Sequence, residues 1–228
     1  MQIPRAANIA FILALALNSF QISTLAEKTE GASGLAYGED HAYFITAPPG
    51  WILDTESGAR QGVFAVFYPK GSSWDGPAVM YSNAAAREGR SPEAAAEHDV
   101  ELMRKQDPRI KVADGGTLTT KDKKTALVRY FTGGQFSNYE AAAYVVENKI
   151  VANIILTARN KAEYDKALPA FRMLVGSYRF ISDQPDKLDL NALGRAEGLR
   201  HDQEIAPAKQ HTNRQENDRK RDEHWRVA

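Results

Sequence analysis

Cysteine is absent from all 228 residues. No disulfide framework, thiolate metal site, cysteine nucleophile or lipid on an N-terminal cysteine can therefore be built from this chain. An excess of either charge is missing too. The 29 basic residues, Lys and Arg, are matched by 29 acidic ones, Asp and Glu, and the sequence pI lies near 7.0. No overall positive field exists to gather phosphate backbones or anionic lipid, so nucleic acid is set aside as a partner. Long hydrophobic runs are lacking as well: the run Ile9 to Leu17 is too short to cross about 30 Å of hydrocarbon as a helix, and no second span follows it.

Catalytic signatures are equally scarce. Ser72, Ser73 and Ser137 fall in turn-like segments, but none sits in a G-x-S-x-G elbow, and only His41 and His98 lie within the predicted domain as histidine bases. The glycine pairs Gly115-Gly116 and Gly133-Gly134 neither introduce a helix nor precede the Lys-Ser/Thr of a phosphate loop, so they read as hairpin turns. Glu97-His98-Asp99 has metal-ligand residue types, yet helix neighbours point about 100° apart and cannot converge. His98 and Glu101 share a face without a third ligand, and His201, His211 and His224 match no compact ligand spacing. The sequence thus predicts no metal, no cofactor and no enzyme.

What is present begins with a leader. Arg5 precedes the apolar run, and Thr24 and Ala26 are small residues placed for a cut before Glu27. Residues 1–26 therefore read as a secretory signal peptide, which predicts a protein released without a membrane span into the periplasm or outside the cell. Residues 27–40, rich in Gly, Ser, Thr and Glu without a hydrophobic period, read as a flexible lead-in.

Residues 41–181 carry the pattern of one folded domain. Ala42–Thr46 (AYFIT) favours a strand, Pro48, Pro49 and Gly50 break it, and Trp51–Leu53 resumes an extended, buried segment. Gly62–Tyr68 (GVFAVFY) reads as a central strand apolar on both faces, with Pro77–Ser82 as its neighbour. Ser91 as N-cap, Pro92 at the first helical position and Glu93 near the positive end predict a helix to Gln106, with Ala96, Val100 and Met103 facing inward.

Beyond Pro108 a meander is predicted: Ile110–Val112, a turn at Asp114-Gly115-Gly116, Thr117–Thr120, and a turn at Lys121–Lys124. Strands over Thr125–Phe131, Tyr139–Val146 and Ile150–Leu156 follow, the last two joined tightly through Glu147-Asn148-Lys149. Asn160 with Glu163 suggests a capping box opening a closing helix to Val175, which Pro169 should kink, and Tyr178–Ile181 then clips back on the domain.

From Ser182 onward the chain is polar and mixed in charge, and His211–Trp225 has no aliphatic residue. Residues 182–228 therefore read as a disordered tail. Its basic run Arg219-Lys220-Arg221 is bracketed by Asp218, Asp222 and Glu223, which makes a polyampholyte rather than an anion-binding arm. Trp225 is the tail residue with the chemistry to anchor a partner.

Two stretches carry a resemblance. Tyr43 to Trp51 (YFITAPPGW) is similar to the opening strand and Pro-Gly-Trp of the PsbP-like superfamily, which includes the periplasmic DcrB-type proteins. Phe171-Arg172-Met173-Leu174 leading to Ser177-Tyr178-Arg179-Phe180 resembles its closing helix and terminal aromatic clip. The resemblance spans His41 to Ile181 and implies an α+β fold, an antiparallel β-sheet flanked by helices in an α/β/α sandwich. It transfers no catalytic residue. It implies a non-enzymatic envelope protein acting as a protein-binding or assembly factor, with another envelope protein as partner. The alternative is a small-molecule or lipid carrier with a pocket between sheet and helix, lined by Trp51, Phe64, Phe67 and Tyr130. Oligomeric state is not legible.

Overall fold

The computed structural model describes residues 29–57, 63, 65–134, 138–189, 192–193 and 204–205. The predicted leader, Phe64, the tail histidines and Trp225 lie outside them.

The strands are β1 (Thr29–Glu30), β2 (Ser33–Tyr37), β3 (Ala42–Thr46), β4 (Trp51–Asp54), β5 (Ala65–Pro69), β6 (Ala78–Ala86), β7 (Lys111–Thr119), β8 (Thr125–Thr132), β9 (Tyr139–Val146), β10 (Ile150–Ala158), β11 (Arg179–Ser182) and β12 (Glu204–Ile205). Two helices complete the set, α1 (Pro92–Gln106) and α2 (Lys161–Ser177). Eight strands form the main sheet in the order β1-β4-β5-β6-β10-β9-β8-β7, antiparallel throughout. Four others form a small sheet, β11-β3-β2-β12. The fold class is α+β, as the sequence predicts.

Strand alternation gives the main sheet two apolar faces, and each finds a cover. Phe67, Met80, Val128, Ile154 and Leu156 pack with Phe171, Leu174 and Val175 of α2 and with Tyr43 and Ile45 of the small sheet. On the opposite face Val66, Tyr81, Leu127, Tyr144 and Ile155 pack with Ala96, Val100 and Met103 of α1. Both helices start where the sequence places them. Ser91 accepts a hydrogen bond from the Ala94 amide, and Asn160 accepts one from the Glu163 amide at 3.0 Å. α2 runs on through Pro169, which sits exposed.

Three expectations are corrected. Residues 27–40 are no mobile lead-in over their described part, because β2 pairs along its whole length with β3 and Leu35 is 1% exposed. The weak periodicity there concealed a short strand buried on both faces. Lys111–Thr119 form one strand, β7, rather than two joined by a turn. The register against β8 shifts between Asp114 and Thr117, so the glycines make a β-bulge. Asp114 Oδ1 accepts from the Gly116 amide, Gly116 has φ +70°, and a Cβ on Gly115 would lie 2.5 Å from Val128 Cγ1. Order also passes Ile181: the 3-10 turn Pro185–Lys187 buries Pro185, and Leu188 packs against Leu35, Ala42 and Phe44 on the outer face of the small sheet. Glu204–Ile205 adds a parallel strand to β2.

Candidate functional site

The four residues predicted to line a pocket are not equivalent. Trp51 and Phe67 are core residues, 7% and 0% exposed, packed in the layer beneath α2 and the small sheet. Tyr130 is half-buried at the margin of the same layer, its ring edge-on to Tyr164 at 6.4 Å, while Tyr139 tilts against Tyr164 at 6.0 Å. Phe64 and Trp225 lie outside the described residues. His98 and Glu101 are exposed on α1, and His41 is buried, with Nδ1 2.8 Å from Asp40 Oδ1. Burial holds the imidazole below its ordinary value against the opposing pull of Asp40.

Titratable chemistry instead collects at two places the sequence did not mark. Beneath α1, the Glu140 carboxylate accepts from Thr157 Oγ1 at 3.0 Å, and the Tyr144 hydroxyl donates to Asp99 Oδ2 at 3.0 Å. Burial raises Glu140 to about 8 against the bond from Thr157, with the Asp99 charge adding to the rise. Burial likewise pushes Tyr144 well up. Among the described residues no three His, Asp or Glu side chains are grouped to hold a metal.

The second place is the end of the main sheet where β6, β7 and β9 finish and β8 and β10 begin. The turn at Glu147-Asn148-Lys149 closes with the Glu147 amide on the Ile150 carbonyl at 2.8 Å. Glu147 turns inward, where it accepts from the Tyr178 hydroxyl and pairs with Lys124 Nζ. Burial pushes its carboxyl up, and Lys124 pulls against that. The Tyr178 ring tilts against Tyr43 at 5.0 Å, and the Tyr43 hydroxyl meets Ser82 Oγ at 2.7 Å, so ring contact and hydrogen bonds together join this turn to the small sheet and β6. Asp122 closes the neighbouring turn, accepting from Thr120 Oγ1 and from the Phe180 amide. These bonds rigidify one end of the sheet without proposing chemistry for it.

Beside this end runs β7, the outer strand of the main sheet. It pairs with β8 alone among the described residues, and none of its nine residues is fully buried. An outer strand presents unpaired backbone donors and acceptors, which another extended chain can use. The bulge at Asp114–Thr117 and the charge of Lys111 and Asp114 are the usual devices that keep such an edge from pairing indiscriminately. The sequence hid this edge because the glycine pair reads as a turn when β8 is not yet known to lie beside it.

No protein-family model and no curated protein matches the chain. Among solved structures it is similar to the solution structure of cyanobacterial PsbP from Synechocystis sp. PCC 6803, at 14% identity and a TM-score of 0.44, over 72% of this chain and 99% of that one. Among the described residues no helix is long and apolar enough to cross a membrane.

Proposed function

We propose that this chain is a non-enzymatic envelope protein that binds a protein partner, in a binding or assembly role, through the β7 edge of its main sheet. The observation that carries the reading is the open, bulged, nine-residue strand β7 beside a rigid, hydrogen-bonded sheet end. Strand addition draws affinity from the backbone, which every partner has, and specificity from the side chains that flank it. Export to the periplasm or beyond rests on reading Met1 to Ala26 as a leader.

The test is affinity capture from the envelope fraction, followed by purification of any captured protein. Saturable binding by that purified protein, with slowed amide exchange over Lys111–Thr119, supports the reading; saturable binding that leaves those amides unchanged contradicts strand addition.

A carrier role is the second reading. It draws on Tyr130, Tyr139 and Tyr164, which form a half-open aromatic margin to the layer under α2. Native mass spectrometry of the purified protein tests it by the presence of a co-purified small molecule.

A further inference from the structure

We infer that the partner's recognised segment is acidic, and that Arg87, Lys121, Lys123 and Lys149 at the end of the sheet form the surface that takes it. This deepens the protein-binding reading and rests on it.

Hydrogen bonds tie the turns that carry the cations to one end of the sheet, where Tyr178, bonded by Lys121, reaches Glu147 in the turn of Lys149. The Arg87 amide donates to the Lys149 carbonyl at 2.8 Å, Arg87 Nη1 reaches the Glu147 carbonyl at 3.2 Å, and the Lys121 amide donates to the Tyr178 carbonyl at 3.0 Å. Their charges are held without being cancelled. The Arg87 guanidinium spends its bonds on the neutral carbonyls of Arg90 and Glu147. The Lys149 ammonium bonds the backbone carbonyl of Asp183. Lys121 and Lys123 are exposed and make no ion pair among the described residues.

The acids at this end are partly engaged. Glu147 is paired with Lys124 and Glu88 with Arg90, whereas Asp122, held by the neutral Thr120 hydroxyl and Phe180 amide and 3.9 Å from Lys124, keeps its charge between Lys121 and Lys123. Asp183 accepts from Asn148 and lies in the field of Lys149, so that among the described residues Asp122 and Asp183 offset part of the charge of the four cations. Positive potential is therefore local to this end of a chain with no net charge.

A protein segment fits better than a lipid surface. Anionic bilayers reward unbroken cation clusters or apolar side chains that insert. Here acids stand between the cations, and the exposed large hydrophobic among the described residues is Met173, on α2. Interspersed signs fix the register of a charged partner chain. Position agrees: β7 ends at Thr119, so an extended segment added along it brings its own end over Lys121 and Lys123.

The experiment compares the full chain with the triple variant Lys121→Gln/Lys123→Gln/Lys149→Gln, and with the control Lys70→Gln/Lys161→Gln at sites remote from the turns. The probes are a labelled poly-glutamate peptide and phosphatidylglycerol vesicles, each at low and physiological ionic strength. The triple variant should bind the peptide about tenfold more weakly and with a shallower salt dependence, while the control variant and the thermal midpoint stay unchanged. Equal loss in both variants, peptide binding unchanged in the triple variant, or binding to vesicles and not to peptide overturns the inference. Capture of the purified envelope partner separates the two levels. A partner held equally by the triple variant defeats the acidic-segment inference alone, whereas a chain that holds no partner defeats the protein-binding reading itself.

Discussion

The Tyr178 hydroxyl donates to Glu147 Oε1 at 3.1 Å, joining the residue that follows α2 to the turn between β9 and β10. Both side chains are buried, so the bond ties the end of the closing helix to the sheet it covers. Tyr178→Phe leaves a buried carboxylate oxygen short of a donor, which costs about 1–3 kcal/mol. Urea unfolding of Tyr178→Phe, Glu147→Gln and the double variant should show less than additive losses. Fully additive losses would mean that the two groups act independently.

Glu140 gives the molecule a pH dependence of definite sign. The folded protein holds the Glu140 proton up to about pH 8, whereas the ordinary value of 4.5 applies once the chain unfolds. Between those values the folded state binds more protons, so this group's contribution is full below about pH 4.5 and is lost as pH rises toward about 8, at up to about 1.4 kcal/mol per pH unit. Glu140→Gln should match the wild type near pH 4, exceed it at pH 8 and flatten the profile. Parallel profiles for the two proteins would place the titration elsewhere.

Gly115 is a packing requirement. A methyl group there meets the Val128 side chain, which is itself buried, so neither can yield cheaply. Gly115→Ala should lower stability by about 1–3 kcal/mol and speed amide exchange in β7 and β8. An unchanged thermal midpoint would show that β7 can move away from Val128.

The segment after β11 belongs to the fold. Leu188 lies over the outer face of the small sheet, against Leu35 and Phe44, and Pro185 is buried. Truncation after Ser182 should cost about 1–2 kcal/mol through the apolar area it uncovers. A truncated chain as stable as the full one would restore the domain end at Ile181 that composition suggests.

Much of this architecture is written locally in the chain. Ser91 with Pro92, and Asn160 with Glu163, mark helix starts by residue chemistry that needs no tertiary partner. The strands around Glu147-Asn148-Lys149 are long and apolar enough to be legible for the same reason. What stayed hidden depends on distant contacts. Ser33–Tyr37 is a strand because β3 lies beside it, and Asp114–Thr117 is a bulge because Val128 lies beneath it. The site was less legible still. Trp51 and Phe67 are aromatic on the core face, and nothing local distinguishes such residues from pocket lining. The cations of the sheet end are far apart in sequence and meet only through their turns.

Site-specific photo-cross-linking in the envelope fraction tests partner docking on β7 most directly. A photoreactive residue is placed at Ala113 or Thr117, both exposed on β7, and at Met173, exposed on α2, as the comparison. The account predicts a discrete adduct with one protein from the β7 positions and none from Met173. Adducts from Met173 alone, or none from either β7 position while the captured partner remains bound, would contradict it.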